Sequence, residues 1–228
     1  MLDRSEAYIG VLIDDLVTKE NHEPYRMMTS RAEYRLLLRQ DNADLRLTKK
    51  GYEIGLISKE RYDWVCKKEQ MIKEEIDRVA KVHVGANKEV QALLESYGSI
   101  PLNTGVTLTE LIRRPELDYD KLAPIDHERP VLPEEVREQV NILIKYDGYI
   151  SRQIKQVESF KKLEKKKIPE GFDYDEVPSL RIEARQKLKL YSPTSIGQAS
   201  RISGVSPADV SVLLVYMEQM NHHGEHHS

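Results

Sequence analysis

Between Val136 and Val157 the apolar side chains recur every four or three residues, and this spacing constrains the fold more than any other feature of the sequence. The seam consists of Val136, Val140, Leu143, Asp147, Ile150, Ile154 and Val157. Such spacing places one side chain per turn on a single helical face. Pro133 and the two acids after it favour a helix start at this point. The pattern predicts a long central helix, about 50 Å in length if it continues to Lys167.

One polar position interrupts that seam. Asp147 lies next to Gly148, and a glycine in a helix interior costs about 1 kcal/mol. Tyr146 and Tyr149 flank the pair. The four residues are consistent with a kinked or functional site, and equally with a helix that packs closely against a neighbour at Gly148. The lysine-rich run 161–167 follows at the C-terminal end, where the helix dipole stabilises cations.

Helical spacing and end signals predict several further helices. Three of them are expected at 6–17, 108–113 and 179–190. A short helix is capped by Thr48 and ends near Gly55, and a long helix runs from Ser58 to about Lys81. A further helix, 89–97, is closed by Gly98. The four prolines between 114 and 133 predict an irregular connection. We therefore place a subdomain boundary near residue 126, between a 1–125 subdomain and a 126–220 subdomain.

Residues 194–217 predict a terminal helical hairpin that resembles a helix-hairpin-helix. A short helix ends at Gly204, and Ser206 caps the next helix with Pro207 in its first position. The turn amides of such a hairpin can contact a phosphate backbone, and the same arrangement also serves simply to pack two helices. The polar tail 221–228 is expected to be disordered, and its histidines are not expected to form a metal site.

The segment from Glu23 to Lys50 is locally basic, although the whole chain carries a net charge of −3. If it is helical, Arg31, Arg35 and Arg39 recur at i, i+4 and i+8 and share one face. Guanidinium groups in a row suit phosphate oxygens. A solvated face whose arginines pair with the interleaved acids is the alternative interpretation.

Composition and motifs exclude several classes of function. No apolar run is long enough for a membrane span, so no membrane partner is expected. The single cysteine, Cys66, excludes an internal disulfide framework and favours a reducing, cytoplasmic setting. Glycine-rich nucleotide cradles, a nucleophile elbow and a zinc-protease motif are absent from the sequence. We therefore expect no catalytic, cofactor-binding or metal-binding residues, and no enzyme activity from this chain alone.

Two long stretches of the sequence carry a resemblance to a known family. One runs through Arg4–Leu16, Glu23–Met27, Thr29–Leu36 and Asp41–Thr48, and the other is Ile196-Gly-Gln-Ala-Ser-Arg-Ile-Ser-Gly-Val-Ser-Pro-Ala208. Both resemble the C-terminal region of the tRNA uridine-5-carboxymethylaminomethyl modification enzymes, the MnmG/GidA family. Tyr146–Ile150, Ile168-Pro169 and Glu183–Leu188 match as well, so the resemblance covers essentially the whole chain.

The resemblance implies a mainly α fold, and a function in tRNA modification. Family members are FAD-dependent homodimers that work with a partner GTPase, MnmE, on the wobble uridine of tRNA. Their FAD domain and catalytic cysteines precede the region matched here. The resemblance thus implies a fragment that binds tRNA and docks the GTPase, without a cofactor of its own. A docking module with little RNA affinity is the alternative.

The resemblance also assigns candidate residues. Those matching the basic segment are candidates for tRNA binding: Arg26, Arg31, Arg35, Arg39, Arg46 and Lys49. Those matching the terminal motif are candidates for partner docking: Gly197, Gln198, Arg201 and Gly204. Two positions depart from the family. Met28 replaces a usual aromatic residue, and Arg181 replaces a common serine, which puts a cap role there in doubt.

Overall fold

A computed structural model describes residues 2–18 and 24–225, with side chains as far as residue 220. The described chain is mainly helical, which confirms the predicted fold class. In chain order the helices are α1 (Tyr8–Thr18), α2 (Ala43–Glu53), α3 (Lys59–Val79), α4 (Lys88–Ser96), α5 (Leu108–Ile112), α6 (Glu134–Lys145), α7 (Asp147–Lys165), α8 (Ile182–Tyr191), α9 (Ile196–Ala199) and α10 (Pro207–Glu225). Two short strands, β1 (His83–Val84) and β2 (Val106–Thr107), pair antiparallel, and sequence spacing did not predict them.

The chain divides into two compact units. The central unit is Leu36–Arg152, and the terminal unit combines Met1–Arg35 with Gln153–Ser228. This division differs from the boundary expected near residue 126. Asp126 lies inside the central unit because its carboxylate accepts two hydrogen bonds from Arg78, on α3. An irregular, proline-rich connection is therefore part of one folded unit.

The core of the central unit is formed by apolar residues of α3 to α6 and of the loops between them. Its fully buried members include Val79, Leu94, Leu111, Leu117 and Val140. Lys68 is also buried, and its ammonium group donates to Asp44 at 2.8 Å and to Glu135 at 2.7 Å. Burial lowers the pKa of Lys68, but these two carboxylates outweigh it and raise the pKa. This ion cluster joins α2, α3 and α6.

Side chains cap three helix starts in the central unit. The Ser58 side chain accepts a hydrogen bond from a backbone N–H at the start of α3, and the Asn87 side chain does so at the start of α4. Thr107 and Glu110 form a capping box on α5. The prediction that Thr48 caps a helix was wrong. Thr48 is buried inside α2, which begins five residues earlier. Tertiary burial overrode the local preference of threonine for a helix end.

The long central helix is divided at Tyr146 into α6 and α7. Tyr146 keeps helical bonds on both sides, since its N–H donates to the Ile142 carbonyl and its own carbonyl accepts from the Ile150 N–H. A Cβ placed on Gly148 would meet no described atom within 4 Å. The interpretation that the helix packs closely against a neighbour at Gly148 is therefore wrong. Asp147 instead opens α7, where a carboxylate at the positive end of the dipole is favourable.

The core of the terminal unit is built around the predicted hairpin. Leu188 of α8, Ile196 and Ala199 of α9, and Leu213 of α10 are fully buried together. The hairpin itself is confirmed, since Gly204 turns the chain at φ +94° between α9 and α10. Helix α10 continues to Glu225, so residues 221–225 are helical rather than disordered, and 226–228 lie outside the described residues.

Asp209 holds the start of α10 and makes the stability of the hairpin pH-dependent. Its buried carboxylate accepts from Arg181 at 2.6 Å and from the Ser206 N–H at 2.8 Å. The ion pair with Arg181, aided by Ser206, holds the pKa of Asp209 well below its ordinary value. A carboxylate with a lowered folded pKa stabilises the fold above its ordinary pKa, and that stability is lost as the pH falls.

We therefore expect the melting temperature of Asp209→Asn to lie below that of the unsubstituted chain at pH 7, by a gap that shrinks as the pH falls to about 3. Thermal unfolding followed by circular dichroism across this pH range measures the gap. Asp175→Asn, at an exposed residue of the same unit, is the matched control. A gap of constant size would show that Asp209 acts without its charge.

Candidate nucleic-acid interface

The arginine-rich segment does not form a helix through Arg31, Arg35 and Arg39. Thr29–Arg31 is a single 3₁₀ turn, and bends and turns follow until α2 begins at Ala43. Ala32 and Tyr34 are buried while Glu33 and Arg35 are exposed, which is the two-residue alternation of extended chain. The condition under which the three arginines would share one helical face is therefore not met. Burial of alternate side chains determined the local conformation.

Three of the six tRNA-binding candidates are held by contacts inside the fold. The Arg31 guanidinium lies 4.3 Å from the centre of the Tyr25 ring. Arg39 donates to the Asp41 carboxylate and to the Gln139 side chain, each at 3.1 Å. Arg46 donates to the Asn42 side chain at 2.9 Å and to the Arg39 carbonyl at 3.0 Å. These three arginines stabilise local structure.

The other three candidates are Arg26, Arg35 and Lys49. Each is exposed, and none has a hydrogen bond or ion pair with any residue that the structure describes. Arg26 and Arg35 belong to the terminal unit, and Lys49 belongs to the central unit. Exposed cations without internal partners keep their full capacity to bind an anion. They are the members of the segment best suited to contact phosphate.

The terminal unit contains a buried ion network centred on Arg4, which the sequence analysis did not predict. Arg4 is 3% exposed, and its guanidinium donates to Asp14 at 2.9 Å, to Asp15 at 2.6 Å and to Glu33 at 2.7 Å. The Tyr25 hydroxyl also donates to Asp15, at 2.8 Å. Burial lowers the pKa of Arg4, but Glu33 and Asp15 outweigh it and raise the pKa. The sequence signal for this network is the pair Asp14 and Asp15, which lies in the otherwise apolar helix α1.

The structure gives each docking candidate an internal contact. A Cβ on Gly197 would lie 2.5 Å from the Glu164 carboxylate, so a larger residue here would displace that side chain. The Gln198 side chain accepts from the Thr194 N–H at 2.8 Å, and Gly204 occupies the turn. Arg201 donates to Asp14 at 2.9 Å and forms an ion pair with Glu164. These four residues shape the hairpin.

The two departures from the family pattern have different structural consequences. Met28 is exposed, so it does not fill a core position. Arg181 precedes α8 and makes no side-chain cap bond of its own. Its guanidinium binds Asp209 and the Gly204 carbonyl, at 2.6 and 2.9 Å. Arg181 thereby joins the start of α8 to the turn of the hairpin.

In the part of the chain that the structure describes, no three acidic, histidine or cysteine side chains are grouped so as to hold a metal ion. The side chains of the C-terminal histidines lie outside it. Among the described helices, none combines the length and the apolar character needed to cross a membrane.

Comparison with known proteins identifies the class of this chain. Residues 59–154 match the model of the tRNA modifying enzyme MnmG/GidA C-terminal helical domain, and residues 156–228 match that of the C-terminal helical bundle. Together these matches cover most of the chain. They place it in the class of helical C-terminal domains that these two family models describe.

Individual relatives agree with the family models. The tRNA uridine 5-carboxymethylaminomethyl modification enzyme MnmG of Lachnoclostridium phytofermentans is 69% identical over 96% of this chain and 35% of its own length. That of Caldicellulosiruptor saccharolyticus is 62% identical with the same coverage. The crystal structure of Aquifex aeolicus GidA, form II, superimposes with a TM-score of 0.74 at 42% identity, over 94% of this chain and 33% of that one.

The chain belongs to the MnmG/GidA family, as the sequence resemblance indicated. It spans about a third of the length of the curated relatives that it matches. The family models cover the central unit from residue 59 and the terminal unit from residue 156. The arginine-rich segment precedes both, within the span aligned to whole relatives.

Proposed function

We propose that this chain binds tRNA for a modification reaction whose chemistry is carried out by a flavin-containing part of the protein outside it. The relatives are named as tRNA uridine 5-carboxymethylaminomethyl modification enzymes. The observation that carries the proposal is a set of exposed cations in the arginine-rich segment that have no partner among the described residues: Arg26, Arg35 and Lys49. In the proposed full-length protein, FAD supplies the redox chemistry and the protein is a cytoplasmic homodimer.

These three side chains can supply phosphate contacts without breaking any existing interaction. A guanidinium or ammonium group on a flexible, exposed stem binds a phosphate oxygen by a charge-assisted hydrogen bond. Arg31, Arg39 and Arg46 would have to leave Tyr25, Asp41 and Asn42 to do the same. We therefore assign the first three to contact and the second three to support of the segment.

Salt dependence tests this assignment. Replacing Arg26, Arg35 and Lys49 together with alanine should reduce the slope of log K against log salt for tRNA by roughly 2 to 3, because each phosphate contact contributes about 0.7 to 0.9. The measurement is fluorescence anisotropy of labelled tRNA titrated with the chain at several salt concentrations.

The control variant replaces Lys67, Lys73 and Lys88, which are also exposed and unpaired among the described residues. It removes the same charge from the chain, so it separates local contact from net charge. Equal slopes for the two triple variants would contradict the assignment. Absence of tRNA binding by the unsubstituted chain would contradict the function.

A second function, docking of the partner GTPase MnmE, is supported by apolar exposure on the terminal unit. Ile182 and Leu190 of α8 and Val215 of α10 are each more than half exposed, at 73%, 70% and 55%. The opposite faces of these helices supply the core of the unit. We propose that Gly197, Gln198, Arg201 and Gly204 shape the hairpin, and that these exposed side chains contact the GTPase.

Surface substitution tests docking better than removal of the hairpin, because α9 and α10 supply much of the core. Replacing Leu190 and Val215 with aspartate should weaken binding of the GTPase at least about tenfold, since buried apolar contacts are replaced by desolvated charges. Isothermal titration calorimetry with purified GTPase measures this. Leu56→Asp, at an exposed site of the central unit, is the control. Unchanged affinity in the double variant would rule out this surface.

A further inference from the structure

A cleft of about 480 Å³ lies within the terminal unit and shares no residue with the tRNA-binding candidates. Its walls are the turn before α1, one face of α1, the last turns of α7 and Arg201. Clefts that hold small molecules commonly have volumes of about 300 to 1,000 Å³. The cleft is therefore large enough for a small organic ligand.

Two glycines allow the walls to approach each other. A Cβ on Gly10 would lie 2.2 Å from the Asp3 carbonyl oxygen, and a Cβ on Gly197 would lie 2.5 Å from the Glu164 carboxylate. The first contact is with backbone, so only glycine lets the turn that carries Asp3 lie this close to α1. The second is with a side-chain end, so a larger residue at 197 would push the Glu164 carboxylate away from α9. The shape of the cleft follows from this packing.

The charges of the cleft leave two cations unpaired. Its acids are all engaged: Asp3 with Lys161 at 3.1 Å, Asp14 with Arg4 and Arg201 at 2.9 Å each, and Glu164 with Ser195 and Arg201. Lys165 and Lys167 also line the cleft, and neither has a partner among the described residues. The charge available to a ligand is therefore positive, in a chain whose net charge is −3.

The cleft also offers a flat, largely apolar surface beside those cations. Phe160 lines it, and the Arg201 guanidinium lies 4.9 Å from the centre of the Phe160 ring. The Nε of Arg201 is buried and donates to no acceptor that the structure describes. Aromatic rings and guanidinium planes are the surfaces on which nucleobases stack.

We infer that this cleft binds a nucleoside monophosphate, with the base against Phe160 and Arg201 and the phosphate between Lys165 and Lys167. A nucleotide combines a flat base with a dianion, and the cleft combines a flat surface with two unpaired cations. The inference goes beyond the tRNA contacts proposed above, because it rests on different residues. The same chemistry is present in a free nucleotide and in the 5′ end of an RNA strand.

Calorimetric titration of the chain with adenosine 5′-monophosphate tests the inference. We expect measurable binding that falls at least about tenfold when Lys165 and Lys167 are both replaced by glutamate, because two charge-assisted contacts are lost. Replacing Lys155 and Lys162, which are exposed on α7 outside the cleft, with glutamate should leave the affinity unchanged. Equal loss in both double variants, or absence of binding at millimolar nucleotide, would overturn the site.

Two further measurements test the base contact and identify the source of the ligand. Phe160→Leu should weaken binding of the nucleotide more than that of inorganic phosphate, and equal weakening would overturn the stacking arrangement. A tetraribonucleotide with a 5′-phosphate that binds tighter than the mononucleotide would support an RNA end, and one that binds weaker would support a free nucleotide. The Arg26, Arg35 and Lys49 triple variant should bind the mononucleotide normally, so the tRNA proposal and this one can fail separately.

Discussion

Replacing Arg4 with methionine is expected to destabilise the terminal unit by about 3 kcal/mol, because the buried Asp15 loses its nearest counter-charge and keeps a longer ion pair with Arg31, at 4.0 Å. Asp15 is fully buried, and Arg4 donates to it at 2.6 Å. Asp14 would keep Arg201, and Glu33 is exposed, so Asp15 carries most of the penalty. Methionine fills part of the volume of the arginine stem and limits the loss to charge and hydrogen bonds.

Hydrogen–deuterium exchange measures this effect within the terminal unit, through the amides of α1 and α9. Protection should fall in both helices of the Arg4→Met variant, because Asp14 and Arg201 connect them to the same network. Arg35→Met, at an exposed arginine of the same unit without a described partner, is the control. If protection were equal in the two variants, Arg4 would not be the centre of the network.

Replacing Arg78 with methionine is the second large effect, expected to cost the central unit about 3 kcal/mol or more. Arg78 donates to Glu75 at 2.7 Å and to Asp126 at 2.5 Å, and both carboxylates are buried. The Tyr119 hydroxyl also donates to Glu75, at 2.7 Å. Without Arg78, two like charges remain buried close together, and the connection at Asp126 loses its attachment to α3.

Denaturant unfolding followed by tryptophan fluorescence measures this effect, because Trp64 on α3 is the one tryptophan of the chain. The signal therefore reports the central unit. Arg113→Met is the matched control, since Arg113 pairs with Asp147 at 3.0 Å where both side chains are more than half exposed. An exposed pair contributes at most about 1 kcal/mol. A similar loss in the two variants would show that the buried cluster contributes little.

Local signals in the sequence predicted most of the helices. Ser58 and Gly98 mark helix ends, and the hairpin with its Ser206 cap follows from capping chemistry. These features depend on residues within one turn of each other, so their energetics are contained in a short window. The resemblance to the MnmG/GidA family, which the family models confirm, depends equally on short contiguous motifs.

The candidate interface could be predicted only in part. The sequence placed the candidate residues in the basic segment, but it did not predict the conformation of that segment. The arginine spacing would place Arg31, Arg35 and Arg39 on one face only if the segment were helical, whereas Ala32 and Tyr34 are buried in a stretch of turns and bends. Which arginines stay unpaired then depends on Tyr25, Asp41 and Gln139, the last of which is distant in sequence.

The helical class, the family, the hairpin and the basic character of the segment around Arg35 could all be predicted from the sequence, because each follows from neighbours along the chain. Three findings needed the folded arrangement: which cations lack a partner among the described residues, that Arg4 and Arg78 neutralise buried carboxylates, and that Lys165 and Lys167 border a cleft. The physical reason is that charge pairing and desolvation depend on contacts between distant residues. Spacing along a chain carries no record of those contacts.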